Sequence, residues 1–464
     1  MRAVKLLVEP FEFIHIVELE SERGLNRHGV LRLTGLISQE KEKEYLRKAE
    51  TETWVSVKAV SEQEEEKRFF VGILTGLRIR KENQVSFLTL ELETGSCLLD
   101  LEPHIRSFQD AGFRYNDIIG ICMEAAGGNY IMLEKQEDQP HKFFFQYRET
   151  DWEFLKRMAS YAGIPLIPED TVPGKNIYFG YRKEHIPDDF PVDSYEMLQD
   201  YNDFRRQDAY GTGQAELKDA VSYRFRSREI YGLGRHVKFQ GRDYVIGEIR
   251  SWLEGQELYH EYRMVTPKGG LRQMQYNEKI TGVSLKAEVT AVNKTMIQVR
   301  IQEDENKDGC GCRWFDYATV YSTPDGTGWY CMPEVGDTVR IIFPGREEGN
   351  AYAASAVHLG EAEGRNNPDE KSWKNRQEKE ILFTPDSLCL RNNKGLLVEL
   401  SDREGIRIVS DKNITVQSAG DLCIKSSGAG VRLSAANEIV MQQGAAKIQM
   451  DDAIYIGGGK IYMN

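Results

Sequence analysis

An apolar pair split by one residue recurs eight times in the last sixty residues of the chain. The pairs are Ile406/Ile408, Ile414/Val416, Leu422/Ile424, Val431/Leu433, Ile439/Met441, Ile448/Met450, Ile454/Ile456 and Ile461/Met463. Their first members lie 8, 8, 9, 8, 9, 6 and 7 positions apart. Each unit alternates like a short strand with one buried face. Small or polar turn residues separate the units, as in Asp411-Lys412-Asn413, Ser418 to Asp421, Ser426 to Gly430 and Gln443-Gly444. A unit this small cannot bury its own apolar face, so the repeat constrains the fold before any single element does. The segment holds no amphipathic helix and no second set of strands to cover those faces. The cover expected is other copies of the same chain wound round a common axis. The pairs from Ile406/Ile408 to Ile454/Ile456 would then form the axial core of a needle.

Size and charge bound the rest. At 464 residues and 53.2 kDa the chain has room for about three domains. A hydrophobic content of 40% and a mean hydropathy of -0.52 describe a surface-rich chain. No run approaches the roughly 18 apolar residues of a membrane span, so no stable membrane anchoring is expected. The apolar stretch after Met1 is too soon interrupted for a secretory core, so assembly in the cytoplasm and exit by another route are expected. A net charge of -13 argues against nonspecific nucleic-acid binding, which needs a basic surface. The seven cysteines are scattered, which favours free thiols over a disulfide framework. Cys310-Gly-Cys312, with Cys331, is a candidate metal-ligand group. Zinc sites use two to four intervening residues and a second knuckle, and thiols at a hairpin turn are the favoured reading.

Along the chain, residues 1 to about 95 alternate in segments such as Gly29–Gly35 and Phe69–Thr75, which read as strands of a barrel or curled sheet. Lys142 to Tyr147 reads as a buried strand. Thr150-Asp-Trp-Glu153 has the form of a capping box and opens a helix. Trp152, Leu155, Met158, Ala159 and Ala162 share one face of that helix, and Gly163 stops it. Strands return from about 220 to 265. The expected organisation is a hub region over 1–270, an OB-type barrel over 276–358, a polar linker over 359–385 and a spike over 386–464. In Met332 to Asp337, Pro333 withholds a ladder donor and Gly336 supplies a permissive backbone, which predicts a turn entering a strand at Thr338. Trp329 and Tyr330 beside it read as barrel core or rim.

This order of parts resembles the spike-hub proteins of contractile injection systems, the VgrG proteins of type VI secretion and the late-control D proteins of phage tails. Gln146 to Gly163 resembles the start of the hub helix in that family. Gly328 to Asp337, with Trp329, Pro333 and Gly336, resembles the signature of its OB domain. Phe383 to Asp386 resembles the entry into its needle. The resemblance implies a mainly β protein with an α+β hub, β-barrel hub domains, an OB-fold neck and a C-terminal intertwined trimeric β-helix. It implies a homotrimer docked on an inner-tube protein, a PAAR-type protein on the blunt C-terminal end, effectors or adaptors as further partners, and delivery outside the cell or into a target cell. Residues 359–385 leave no room for the lysozyme domain that some phage spikes carry, and the chain ends without a His-x-His apex. The machine type stays open among type VI, phage tail and phage-like particle.

No enzyme is expected. The eight histidines are dispersed and none has metal-ligand spacing; there is no G-x-S-x-G elbow, Walker loop or dinucleotide fingerprint. No catalytic, cofactor-binding or metal residues are assigned, and no cofactor is expected. Asp151 and Glu153 are explained as a capping box. Asp304-Glu-Asn-Lys-Asp308 lacks the glycine and terminal glutamate of a calcium loop and reads as a solvated hairpin tip. The competing reading is a single-chain β-solenoid that binds or hydrolyses carbohydrate. Against it, the outward octad positions, Arg407, Thr415, Lys425, Arg432, Val440 and Gln449, form no acidic cluster.

Overall fold

Alternating sequence becomes strand through most of the first 270 residues. The computed structural model describes residues 5–49, 52–61, 63–134, 143–186, 194–201, 216–271, 274–306, 311–358 and 367–460. By its contacts the chain divides into two units, residues 1–359 and residues 360–464.

In the first unit one twelve-stranded sheet carries two separate cores. Its path runs through Lys5–Glu9, Trp54–Val60, Glu66–Glu82, Val85–Glu93, Arg27–Ile37 and His15–Gly24, then crosses to Arg242–Glu254, Glu257–Val265, Val221–Ser227 and Tyr195–Gln199. The two halves join where Glu248 to Trp252 pairs antiparallel with Gly24 to Glu20. Leu31, Leu33, Val55, Val57, Phe70, Leu88 and Leu90 fill the first half, and Phe225, Val237, Ile246, Ile249, Tyr262 and Met264 the second. Because alternate residues point to one face, each strand supplies a core stripe and a solvent stripe.

Among the described residues the first unit also carries three α-helices: α1 (Glu42–Lys48), α2 (Tyr115–Ala125) and α3 (Asp151–Ala162). At α3 the Thr150 hydroxyl accepts from the Glu153 N–H at 3.1 Å, and the Glu153 carboxylate accepts from the Thr150 N–H at 3.2 Å. Gly163 ends the helix at φ +67°, the left-handed conformation that glycine adopts without strain. Trp152, Leu155, Met158 and Ala159 are buried as their spacing predicts, with Ala162 at the edge of the same core. They pack with Ile118, Ile119, Cys122 and Met123 of α2.

The same unit ends in a closed five-stranded barrel. Its order is Ser284–Asn293, Met296–Ile301, Trp314–Ala318, Tyr352–Ala354 and Thr338–Ile342, closing on the first strand. A register shift between Val289 and Ala291 marks a bulge, the device that lets a short strand bend round a small barrel. Val289, Val299, Phe315, Val339 and Ile341 are sealed inside. The turn into Thr338 forms as expected: Gly336 sits at φ +92°, and the Glu334 N–H donates to the Asp337 carboxylate at 2.8 Å.

The second unit holds two antiparallel meanders. Five strands span Lys371–Lys374, Glu380–Phe383, Ser387–Arg391, Leu397–Ser401 and Gly405–Val409, and three span Ile439–Gln443, Ala446–Met450 and Ile454–Gly457. Two of these strands lie inside the stretch that sequence reads as linker. Between the meanders, residues 410–438 carry no strand. Within one chain the tail is not wound into stacked coils.

Candidate functional site

The register of the five-stranded meander brings one set of apolar side chains onto a single face. Trp373 pairs with Ile381, Ile381 with Leu390, Leu390 with Val398 and Val398 with Ile408. Phe383, Leu388, Leu400 and Ile406 continue the same face through their own pairings. The three-stranded meander does likewise: Ile439 pairs with Met450, Met441 with Ile448, Ile448 with Ile456 and Met450 with Ile454. Six of the pair residues named from sequence thus share one sheet face. Ile414, Val416, Leu422, Ile424, Val431 and Leu433 lie in the strandless stretch between.

These faces are open to solvent in the single chain. Ile406 is 73% exposed and Ile454 70%, and of the fourteen predicted core residues, those of the strandless stretch included, only Ile439 and Met450 are even half-buried. Burying a Val, Leu, Ile or Met side chain contributes about 1.5–3 kcal/mol. A contiguous exposed apolar surface of this length marks an association site. A groove of about 690 Å³ on the five-stranded meander is lined by Trp373, Ile381, Leu390, Val398, Ile408 and Ile414. Part of this surface was missed in the sequence. Ile381/Phe383, Leu388/Leu390 and Val398/Leu400 carry the same split-pair signal upstream of Ile406, and extending the repeat would have found them.

The second notable site is the joint between hub and barrel. The strand Phe144–Thr150 serves both: Phe144 packs on Tyr115 and Tyr161, whereas Phe143 meets Phe315 edge-on at 5.5 Å and Phe145 stacks on Phe343 at 5.2 Å. Beside it Arg157 of α3 is fully buried. Its guanidinium binds the Glu149 carboxylate through two N–H groups at 2.7 Å each, donates to Glu348 of the barrel, and reaches the Phe145 carbonyl at 3.1 Å. Burial alone would lower the Arg157 pKa; the charges of Glu149 and Glu348 more than offset it, and the group stays cationic.

A second clasp ties the strand Pro103–Phe108 to the loop after Met296–Ile301. Asp304 accepts from the Ser107 N–H at 2.9 Å and from the Ser107 hydroxyl, and Glu305 accepts from the Ile105 N–H at 2.9 Å. Asp304 is therefore buried and bonded, and not the solvated hairpin tip its polar neighbours suggest. Asp151 is corrected too. It starts the helix, but its carboxylate turns inward to Arg106 at 2.6 Å. Neither Arg157 nor Glu348 bears a local sequence signal, because their partners lie 8 and 191 residues away from Arg157.

Of the signature residues, Pro333 is buried, and Gly336 makes the turn. Trp329 and Tyr330 are not core: they are 61% and 70% exposed on an arm at the barrel rim, where the Tyr330 hydroxyl donates to the Lys294 carbonyl at 3.0 Å. Gly328 permits that arm, since a Cβ there would lie 2.4 Å from the Tyr321 carbonyl oxygen. Cys310 lies outside the described residues, and so do Lys307, Asp308, Ile461 and Met463. Cys312 and Cys331 are exposed thiols. Among the described residues no cluster of three or more His, Cys, Asp or Glu could hold a metal ion, and no helix is long and apolar enough to cross a membrane.

Residues 22–189 match the phage tail baseplate hub (GPD) family, and residues 285–358 match the type VI secretion system/phage-baseplate injector OB domain. Among solved structures, the E. coli c3393 protein aligns with a TM-score of 0.51 at 12% identity, over 76% of this chain and 100% of its own. It is described as a component of the type VI secretion system with structural similarity to the T4 bacteriophage tail proteins gp27 and gp5. A chain of the Francisella PdpA–VgrG complex in its half-lidded form aligns with a TM-score of 0.53 at 8% identity, over 85% of this chain and 83% of that one. At these identities the likeness is one of fold. No curated protein matches in sequence.

Proposed function

We propose that this chain, a structural hub-and-spike protein of the phage-baseplate and type VI secretion kind, works as a homotrimer whose three tails wind into a needle. The carrying observation is the exposed apolar surface of residues 371–460, which a single chain leaves in water. Three identical strips meeting along one axis would bury it with no foreign partner. The hub sheet would dock on the inner tube, the barrels would form a neck, and sheath contraction would drive the rigid assembly through a target envelope. A PAAR-type protein is the proposed tip at the C-terminal end. Effectors or adaptors are proposed as cargo, and the solved VgrG neighbour in complex with PdpA supports a protein partner on this scaffold. The action is mechanical, with no catalytic step, no cofactor and no nucleic acid. Assembly in the cytoplasm precedes delivery outside the cell. The single-chain solenoid reading finds no support in two separate meanders joined by a strandless stretch.

Light scattering on the purified full chain tests this. The expected mass is three times the 53.2 kDa chain. A monodisperse monomer with a protease-resistant tail would refute the proposal.

A further inference from the structure

The barrel carries a surface that its own fold does not use. Between Trp314–Ala318 and Thr338–Ile342 the chain leaves the barrel as an arm, residues 319–335. The arm is built, not loose. Trp329 N–H donates to the Tyr321 carbonyl at 2.8 Å, Thr323 N–H to the Thr327 carbonyl at 2.9 Å, and the Tyr330 hydroxyl to the Lys294 carbonyl at 3.0 Å. On it Val320 is 93% exposed, and Tyr321, Trp329, Tyr330 and Val335 are exposed as well. Val320, Tyr321, Trp329 and Tyr330 flank a groove of about 720 Å³ that Tyr317 and Met332 also line. Tyr317 and Met332 pack against the barrel core, whereas Val320, Tyr321, Trp329 and Tyr330 are not among the side chains that fill it.

We infer that this arm is a docking element for a second copy of the chain, making a contact between neighbouring protomers separate from the one between tails. The inference rests on the self-association proposed above. Charge is the first argument. The chain is 29% charged, so a stretch as long as the arm, residues 319–335, would hold about five charged residues; it holds two, Asp325 and Glu334, and Asp316 also lines the groove. Chains of net charge -13 repel one another, so a face poor in charge is one on which copies can meet at small electrostatic cost. The cores of protein interfaces are depleted in charge and enriched in Trp, Tyr and Met, as this arm is.

Area is the second argument. With 150–250 Å² available per buried aromatic, the exposed arm side chains offer roughly 500 Å². A stable interface needs about 800 Å² per partner. The arm therefore cannot hold a partner alone, but it can hold one that another surface already brings close. A second copy, retained through its tail, meets that condition, because every copy brings both surfaces.

The test places the photoreactive residue p-benzoylphenylalanine at Val320 in the full chain, with light scattering run in parallel. Irradiation should give covalent links between two copies, mapped to residues 1–358 of the second one. Trp329→Ser with Tyr330→Ser should cut that yield at least tenfold and raise the concentration at which the assembly dissociates about tenfold. An assembly of trimer mass with links only within one copy, or with none, overturns the arm contact and leaves the proposed function standing. A monomer overturns both. Retention on immobilised peptidoglycan glycans that depends on Trp329, without links between copies, also overturns it and makes the arm a sugar surface.

Discussion

In residues 5–358 apolar side chains point into four filled cores and the buried charges meet partners, whereas in residues 371–460 apolar alternation leaves much of each apolar sheet face in water. Sequence rhythm alone does not distinguish the two. What differs is closure: the hub sheet carries two buried clusters and the barrel curls until its edges meet, but each tail meander is a single open layer. A single layer has nothing to pack against within one chain. The lesson is that an apolar period locates a face without saying whether its cover is intramolecular.

The contrast can be broken most severely at the tail. Ile424→Asp, or Ile408→Asp, should abolish the assembly seen by light scattering, because unpaired charges would be forced into an apolar seam. The thermal transition of the hub and barrel should stay within about 0.5 kcal/mol of the parent. An intact assembly would reject the axial placement of that residue.

The next effect belongs to the first unit. Arg157→Met strands the Glu149 and Glu348 carboxylates in the joint and should cost about 3–5 kcal/mol in urea denaturation. Adding Glu149→Gln and Glu348→Gln should recover much of that. A loss below about 1 kcal/mol would mean that water reaches the joint.

Acid should separate the two regions more gently. His260 lies buried in the hub with its Nδ1 2.7 Å from the Ser251 hydroxyl. Burial, and then the charges of Arg23 and Lys67, push its pKa from 6.5 down to about 3. The folded state therefore holds it neutral. The stability this contributes is complete above pH 6.5 and is lost as pH falls toward 3. At roughly 1.4 kcal/mol per pH unit, the hub should weaken by about 2 kcal/mol between pH 6.5 and 5. His260→Asn should flatten that slope, whereas an unchanged slope would assign it to other groups.

Thr150→Ala is the smallest change. Losing one cap should cost about 1 kcal/mol. Hydrogen exchange should show the loss first at the start of α3.

How legible each region was in the sequence follows from the range of its interactions. The capping box at Thr150, the stop at Gly163, and the turn at Gly336 that enters the strand at Thr338 are encoded within a few residues, and sequence located them. The split pairs of the tail were equally plain, though the upstream part of that face was passed over because the polar stretch before it reads as linker. What escaped depends on distant partners. Asp304 looks like a surface loop until Ser107, 197 residues away, covers it. Arg157 looks like any polar position on a helix until Glu348 arrives from the barrel. Trp329 carries the barrel signature, yet its large aromatic ring turned out to face water. Composition could not foresee that, because a tryptophan is more often buried than not.

Phe143 and the strand after it, with Phe145 and Tyr147, have a practical consequence for anyone who would exchange barrels between related chains. The barrel core is completed by side chains that the chain supplies more than a hundred residues before the first strand of the barrel. A chimaera cut just ahead of Ser284 would leave the donor barrel missing three aromatic plugs and the recipient's strand facing foreign packing. Transplantation would succeed only if that distant strand travelled with the graft, so the interchangeable part here is discontinuous along the gene.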